Sequence, residues 1–236
     1  MNYMINCIGL YKNYMTKNAL RDINLKFQEG KIYGLLGPNG SGETTLMKII
    51  ADLHKQSSGE ILICDEKPSH KTRAYVAFMP TENFIYGWMK VKESLKFYED
   101  MYPDFDRQKA EELIKFMELD MNQKVNSLST GQRARLKITL TISRRAKIYM
   151  LDEPLNGLDP ISRTKIKECI IEQFNAEGVM LISTHLVNEI EQILDEVVFL
   201  SHGQVILQGE TEALRAQKGK SLEDIYREVY GNVEAH

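Results

Sequence analysis

The side chains able to do chemistry gather at three points of this 236-residue chain. The first is Gly37-Pro38-Asn39-Gly40-Ser41-Gly42-Glu43-Thr44-Thr45. Its glycines let the backbone curl until successive N–H groups face one hollow, a shape that holds anions and phosphates above all. Thr44 stands where a hydroxyl would reach a magnesium ion. The second point is Asp152-Glu153, after the apolar run Ile148-Tyr149-Met150-Leu151. An aspartate there makes a second magnesium anchor, because that ion prefers oxygen ligands. The glutamate is placed to take a proton from an attacking water. A solvated turn is the competing account of the pair. The third point is His185, after Ser183-Thr184. It can hydrogen-bond a phosphate oxygen, against the competing account of a structural histidine.

These groups need elements that bring them together. Lys31 to Leu36 reads as a buried strand running into the glycine loop. Leu46, Ile49, Ile50 and Leu53 lie on one face of a helix leaving it. Strand, glycine loop and helix are the setting of a phosphate loop, whose pattern asks for lysine after the last glycine. Glu43 stands there instead, so a glycine-rich turn without a ligand is the competing account. Ile23, Leu25 and Phe27 alternate as in a half-buried strand. Further strands are predicted at 61–64, 75–79, 147–151, 179–183, 197–200 and 205–207. Between Thr81 and Ser127 strand signals vanish, and the spacing predicts helices over 91–101 and 107–119. A third helix is predicted from Ser129 to about Arg145, with Ser129 and Gln132 as a capping box. That cap does not require Gly131, which permits close backbone approach. Asp159-Pro160 starts another helix reaching about Phe174. A helix follows His185, and a helical tail runs from Glu210 to Val229. Strands alternating with helices make an α/β protein with a parallel sheet covered by helices on both faces. Ligands bind such sheets beyond the carboxyl ends of the strands, where the loop, Asp152-Glu153 and His185 all fall.

Composition bounds the function. The chain is 43% hydrophobic, enough for a substantial core, and its formal net charge is −3. No global basic field draws nucleic acid, so no nucleic-acid partner is expected. Arg133, Arg135, Lys137, Arg144, Arg145 and Lys147 read as a solvated helix face. Cys7, Cys64 and Cys169 lack metal-ligand spacing and read as buried or half-buried thiols of a reducing compartment. No signal peptide and no membrane-length apolar run is evident. The protein is expected in the cytoplasm, touching a membrane only through a partner.

In order, Gly37 to Thr45, Leu128-Ser129-Thr130-Gly131-Gln132, Leu151-Asp152-Glu153-Pro154, Gly157-Leu158-Asp159 and Ser183-Thr184-His185 resemble the ATP-binding subunit of an ABC transporter. The similarity runs from about Tyr14 to Gly209. It implies a P-loop ATPase core with a mixed or parallel sheet, N-terminal antiparallel strands and a helical insertion. The core would comprise 1–80 and 136–208, the helical subdomain 81–135 and the tail 209–236. It implies ATP and Mg2+, with Gly37, Pro38, Asn39, Gly40, Ser41, Gly42, Glu43, Thr44 and Thr45 around the phosphates. Thr44 and Asp152 would hold the metal, Glu153 would be the general base, and His185 would sense the terminal phosphate. Tyr14 would stack on adenine, although a packing tyrosine accounts for it equally well on sequence. Ser129, Gly131 and Gln132 would reach the ATP of a second nucleotide-binding subunit, with Asp159 at the same junction. The second partner is a membrane-spanning subunit, for which Phe84, Tyr86, Trp88 and Met89 would line a groove unless they pack the insertion. The run Tyr98 to Asp106, with Asp104-Phe105-Asp106, also resembles bacterial exporter cassettes, without fixing the cargo.

Three departures bear on this. Glu43 replaces the lysine that would neutralise the outer phosphates, leaving rotation into solvent, protonation or magnesium to relieve the repulsion. Thr81, with Glu82 beside it, replaces a glutamine that would meet magnesium and water. Thr130 replaces a glycine of the Ser129 motif and crowds the phosphate. Poor hydrolysis is expected. Glu43 fits an introduced inactivating change, since Asp152, Glu153 and His185 are kept, or a naturally degenerate cassette beside a competent partner. The alternatives in function are an ABC ATPase working outside transport and a non-catalytic cassette that scaffolds a dimer.

Overall fold

The alternation at the N-terminus closes into a hairpin. β1 (Tyr3–Tyr14) pairs antiparallel with β2 (Lys17–Gln28). Ile5 and Cys7 point inward from one strand and Ile23, Leu25 and Phe27 from the other, as a period of two requires, and Leu10 rejoins the buried face past an irregularity between Cys7 and Leu10. The computed structural model describes residues 3–15 and 17–231. Residues 1, 2 and 16 of the expected core segment, and 232–236 of the expected tail, lie outside the described residues. β4 (Ser58–Ile63) pairs with the other edge of β1, giving a three-stranded sheet in the order β2-β1-β4.

The main sheet has six strands in the order β5-β6-β7-β3-β8-β9. Here β3 is Ile32–Leu36, β5 Val76–Met79, β6 Ile148–Asp152, β7 Val179–Thr184, β8 Glu196–Ser201 and β9 Gln204–Glu210. The first five in that order run parallel, and β9 turns back antiparallel at the edge. The sheet is therefore mixed. Every residue of β3, β6 and β7 is buried, which explains their unbroken apolar runs. Alternate residues serve two cores. Tyr33, Leu35, Ile148 and Met150 face the side covered by the small sheet and α1 (Glu43–Ile50). Leu36, Tyr149 and Leu151 face the helices on the other side.

Those helices are α3 (Val91–Met101), α4 (Arg107–Phe116), α5 (Thr130–Ile142), α6 (Pro160–Gln173) and the single turn α7 (Val187–Ile190), with a further turn, α2 (His70–Arg73), between β4 and β5. The tail forms α8 (Thr211–Lys218) and α9 (Leu222–Gly231). The helix expected from Ser129 to Arg145 stops at Ile142. Ser143 closes it, and Arg144 turns inward instead of extending a wet face. The helix after His185 is one turn only. Cys7 and Cys169 are buried and Cys64 half-buried, all as free thiols.

α9 docks through Ile225 and Tyr230. The Tyr230 hydroxyl lies 2.7 Å from the Leu36 carbonyl oxygen and 2.8 Å from that of Leu200, sharing its proton between the ends of β3 and β8. Because β6, β7 and β3 are neighbours and parallel, their carboxyl ends open at one rim. Asp152 pairs with Ser183 and Leu36 with Thr184 at the last positions of the ladders.

Candidate functional site

The loop from 37 to 42 is wound tightly. Both the amide and the hydroxyl of Ser41 donate to the Pro38 carbonyl, at 3.1 and 2.8 Å. Gly42, at φ 115°, caps α1, whose first turn closes with Leu46 N–H donating to Gly42 O at 2.9 Å. A Cβ on Gly42 would meet the Ala19 carbonyl at 2.8 Å, so only glycine lets β2 lie against the loop here.

Glu43 is turned inward. A Cβ on Gly37 would stand 2.1 Å from its Oε1, so the carboxyl fills space that only glycine leaves. Burial pushes its pKa up to about 7, with the charges of Glu153 and Asp152 adding to the rise. The amides of Glu43 itself and of Gly42 donate to the carboxyl and oppose it. Of the three routes to relief, the carboxyl does not take rotation into solvent here: it sits among the loop amides, with a pKa that brings protonation within reach of neutral pH.

Thr44 Oγ1 lies 2.9 Å from one carboxylate oxygen of Asp152 and 3.1 Å from the other. Ser183 Oγ donates to Asp152 at 2.5 Å. The hydroxyl and carboxylate expected to hold a metal are thus brought together from α1 and β6. Among the described residues no cluster of three His, Cys, Asp or Glu could hold a metal ion. Magnesium takes oxygen ligands, few of them from the protein and the rest waters and phosphate oxygens, and the Asp152 carboxylate with the Thr44 hydroxyl is such a pair. The donor set fits that ion. The amide hollow fits a phosphate once the Glu43 carboxyl moves aside.

Glu153 follows with φ 50°, an uncommon conformation for a residue with a side chain. Its amide donates to Ser183 O and lies within reach of Ser183 Oγ, both at 3.1 Å. Its carboxylate meets His185 Nδ1 at 2.8 Å and accepts from Thr184 Oγ1 at 3.3 Å. Thr81 reaches the same rim, its hydroxyl 3.5 Å from the Asp152 carbonyl, whereas Glu82 turns away to Lys48 at 3.3 Å. Gly37, Pro38, Asn39, Gly40, Glu43 and Thr44 share a cavity of about 210 Å³ with Thr81, Asp152 and Glu153. Ser41, Gly42 and Thr45 shape the loop without lining that cavity. Asn156 also lines it and escaped the sequence reading. Its only sequence signal is the turn Pro154-Leu155-Asn156-Gly157 directly after the acidic pair.

Ser129, Gly131 and Gln132 do not join this cavity within the chain. Ser129 and Gln132 form the capping box, at 3.0 and 3.1 Å. Gly131 has a packing reason inside the chain: a Cβ there would stand 2.3 Å from Ser162 Oγ and 2.6 Å from Asp159 Oδ2. Asp159 caps α6 through the Ser162 amide at 2.9 Å. Tyr14 is exposed. Its hydroxyl meets His54 Nδ1 at 2.6 Å and Lys12 Nζ covers its ring at 4.8 Å.

The basic residues divide: Arg145 and Lys147 are exposed, as a solvated face requires, Arg133 and Arg135 are half-buried, and two go inside. Arg144 is buried, donating to the Val76 and Ala74 carbonyls and pairing with Asp104 at 3.1 Å. Lys137 is also buried and donates to the Pro80 and Thr81 carbonyls, at 2.6 and 2.9 Å. Isolated charge is costly to bury, so these groups go inside only where carbonyls and a carboxylate meet them. The aromatic segment divides. Met89 is buried, and Phe84 and Tyr86 line a groove of about 530 Å³ with Phe97, Tyr98 and Met101. Trp88 is 66% exposed and stacks on Tyr86 outside that groove. Among the described residues no helix is long and apolar enough to cross a membrane.

The family model described as "ABC transporter" matches residues 20–156. A lantibiotic transport ATP-binding protein of Streptococcus pyogenes, SrtF, is 30% identical over 225 residues, 94% of this chain and 96% of that one. A solved ATP-binding subunit of an ABC transporter superposes with TM-score 0.86 at 26% identity, over 96% of this chain and 99% of that one. A bacterial ABC transporter cassette with a dimeric structure gives TM-score 0.77 at 25% identity, over 88% of this chain and 99% of that one.

Proposed function

The chain belongs to the ABC transporter family as an ATP-binding subunit, and we propose that it binds Mg2+-ATP at the rim of β3, β6 and β7 and powers export through a separate membrane-spanning subunit. One observation carries this reading: Thr44, Asp152, Glu153 and His185, from three separate segments, converge beyond the ends of three adjacent parallel strands. The loop amides orient the phosphates. Thr44 and Asp152 would hold Mg2+, which when bound neutralises charge on the phosphate oxygens. Glu153 takes the proton of the attacking water, and its contact with His185 fixes the carboxylate. His185 then lies beside the terminal phosphate and Tyr14 beside the base.

A second chain stacks head to tail, its Ser129, Gly131 and Gln132 covering the nucleotide and its Asp159 at the junction. This accords with the dimeric cassette of the same fold. The apolar groove beside α3 suits a helix of the membrane subunit, so the protein works at the inner face of a membrane held by that partner. The core would then be 1–80 with 136–208, the helical subdomain 81–135 and the tail 209–236. The likeness to a lantibiotic transport protein supports a peptide-like cargo.

Phosphate release from ATP by the Glu43→Lys form, with and without Glu153→Gln, tests the enzyme reading. Loss of the base should cost about 100-fold or more. A Glu153→Gln form as fast as its parent would refute the role of Glu153. A second reading, a cassette that scaffolds a dimer without turnover, is favoured by the Glu43 carboxyl among the loop amides. Sustained turnover by the Glu43→Lys form removes it.

A further inference from the structure

The cavity at the glycine loop is short of positive charge. Its lining holds three carboxylates, from Glu43, Asp152 and Glu153, and no lysine, arginine or histidine. Nearby cations are committed elsewhere. Lys48 pairs with Glu82, and Lys137 is tied to two carbonyls. A polyphosphate entering such a cavity meets like charge with the loop amides but no cationic side chain of the lining to offset it.

Lys17 differs. Its Nζ lies 3.1 Å from the point that a Cβ on Gly40 would occupy, and Gly40 lines the cavity. Gly40 sits at φ +85°, so a side chain there would be both strained and driven against that ammonium. Among the described residues no hydrogen bond or ion pair commits Lys17 to another group. Its position is set by its strand. Lys17 opens β2 opposite Tyr14, so one hairpin end presents both the ring and the ammonium. Within four residues that strand is fastened to the site. Ala19 O and Leu20 Cδ2 would each lie 2.8 Å from a Cβ on Gly42, and the Arg21 amide donates to Gly203 O at 2.7 Å.

We propose that Lys17 is the phosphate-contacting cation of this site, supplying from the β1–β2 hairpin the positive charge that residue 43 lacks. This rests on the reading that a nucleotide occupies the loop, and it names the residue that makes occupation possible with Glu43 in place. An ammonium carries three donors on a flexible stem, so a short swing from Gly40 brings it onto a phosphate oxygen. The share of affinity that Lys17 supplies then depends on the phosphates, while the base is left to Tyr14.

The test is equilibrium titration, with MgCl2, of adenosine, ADP and ATP into the chain itself, Lys17→Ala and Lys17→Arg, each also carrying Glu43→Lys. Charged hydrogen bonds of this kind make the expected loss for Lys17→Ala about tenfold for ADP and ATP and less than about twofold for adenosine, with Lys17→Arg recovering most of it. With lysine also at 43, the loss for Lys17→Ala should shrink to about threefold or less, because two cations then share one charge. Equal ATP affinity with and without Lys17 overturns the assignment while leaving the nucleotide site intact. Equal losses for adenosine and ATP overturn it too, since they would mean a general packing role. If neither the chain nor its Glu43→Lys form binds any nucleotide, the site reading falls and the assignment with it.

Discussion

Replacing Glu43 by lysine should raise ATP affinity by about 30-fold and hydrolysis at least tenfold. The Glu43 carboxyl lies inside the loop, with its pKa pushed up to about 7, so at neutral pH it is about half ionised. A full like charge about 4 Å from a phosphate costs roughly 4 kcal/mol at an effective dielectric near 20. Because the neutral acid is already half populated, binding through it caps the repulsion at about 0.4 kcal/mol, and a lysine in its place gains roughly 4 kcal/mol by the same estimate. The swing of roughly 4 kcal/mol is a ceiling, because magnesium, water and the cost of ordering a lysine each take part of it. Half of it, about 2 kcal/mol, corresponds to about 30-fold. Fluorescent-nucleotide titration at pH 7 reads the affinity, and steady-state phosphate release reads the rate. Glu43→Gln serves as the control, removing the charge without adding one, and should fall between the two. Equal affinities and rates for glutamate and lysine would refute the electrostatic account of this position.

Gly131→Ala should destabilise the fold by about 1–3 kcal/mol, because its methyl must displace Ser162 and Asp159; chemical denaturation measures this. Tyr230→Phe leaves the Leu36 and Leu200 carbonyls without their donor, at about 1–3 kcal/mol, and a chain of this size should melt several degrees lower. Acid should weaken the α1 end of the small-sheet core through Asp52. Burial raises the pKa of that carboxyl, but Lys55 and Arg73 outweigh it and hold the value below the ordinary 3.8. Its contribution is therefore complete above pH 3.8 and is lost as pH falls through the lowered folded value, a loss that Asp52→Asn should abolish in pH-dependent denaturation.

The fold was legible because local and global preferences agree. β3, β6 and β7 are continuous apolar runs ending at chemistry-bearing residues, which is how a central parallel strand must read when both its faces are covered. The caps at Ser129 and Asp159 needed only residue types at fixed spacing. What stayed hidden depends on contacts between distant segments. Charge alone marks Arg144 and Lys137 as surface groups. Only the folded chain shows Asp104 and the carbonyls of Val76, Pro80 and Thr81 closing around them. Gly131 looked surplus because Ser162 and Asp159 come from a helix some thirty residues on. The inward turn of Glu43 was not among the outcomes that residue types suggest, and shows only in the space beside Gly37.

That inward turn explains how a residue opposed to phosphate binding coexists with an undisturbed fold. The loop is held by contacts in which the Glu43 side chain is not a partner: Ala19 against Gly42, Gly203 N–H on Ser41 O at 2.9 Å, and the Tyr230 hydroxyl on the strand that feeds the loop. Gly37 leaves room for the carboxyl, and two amides offset part of its burial. Buried groups that find donors cost little, whereas the same carboxyl facing a phosphate has no such compensation. Stability and ligand affinity thus separate at one side chain. Lysine at 43 cannot accept from those two amides, but it leaves the anchors of the loop in place, so the change should act mainly on nucleotide affinity and move the unfolding free energy by about 1 kcal/mol.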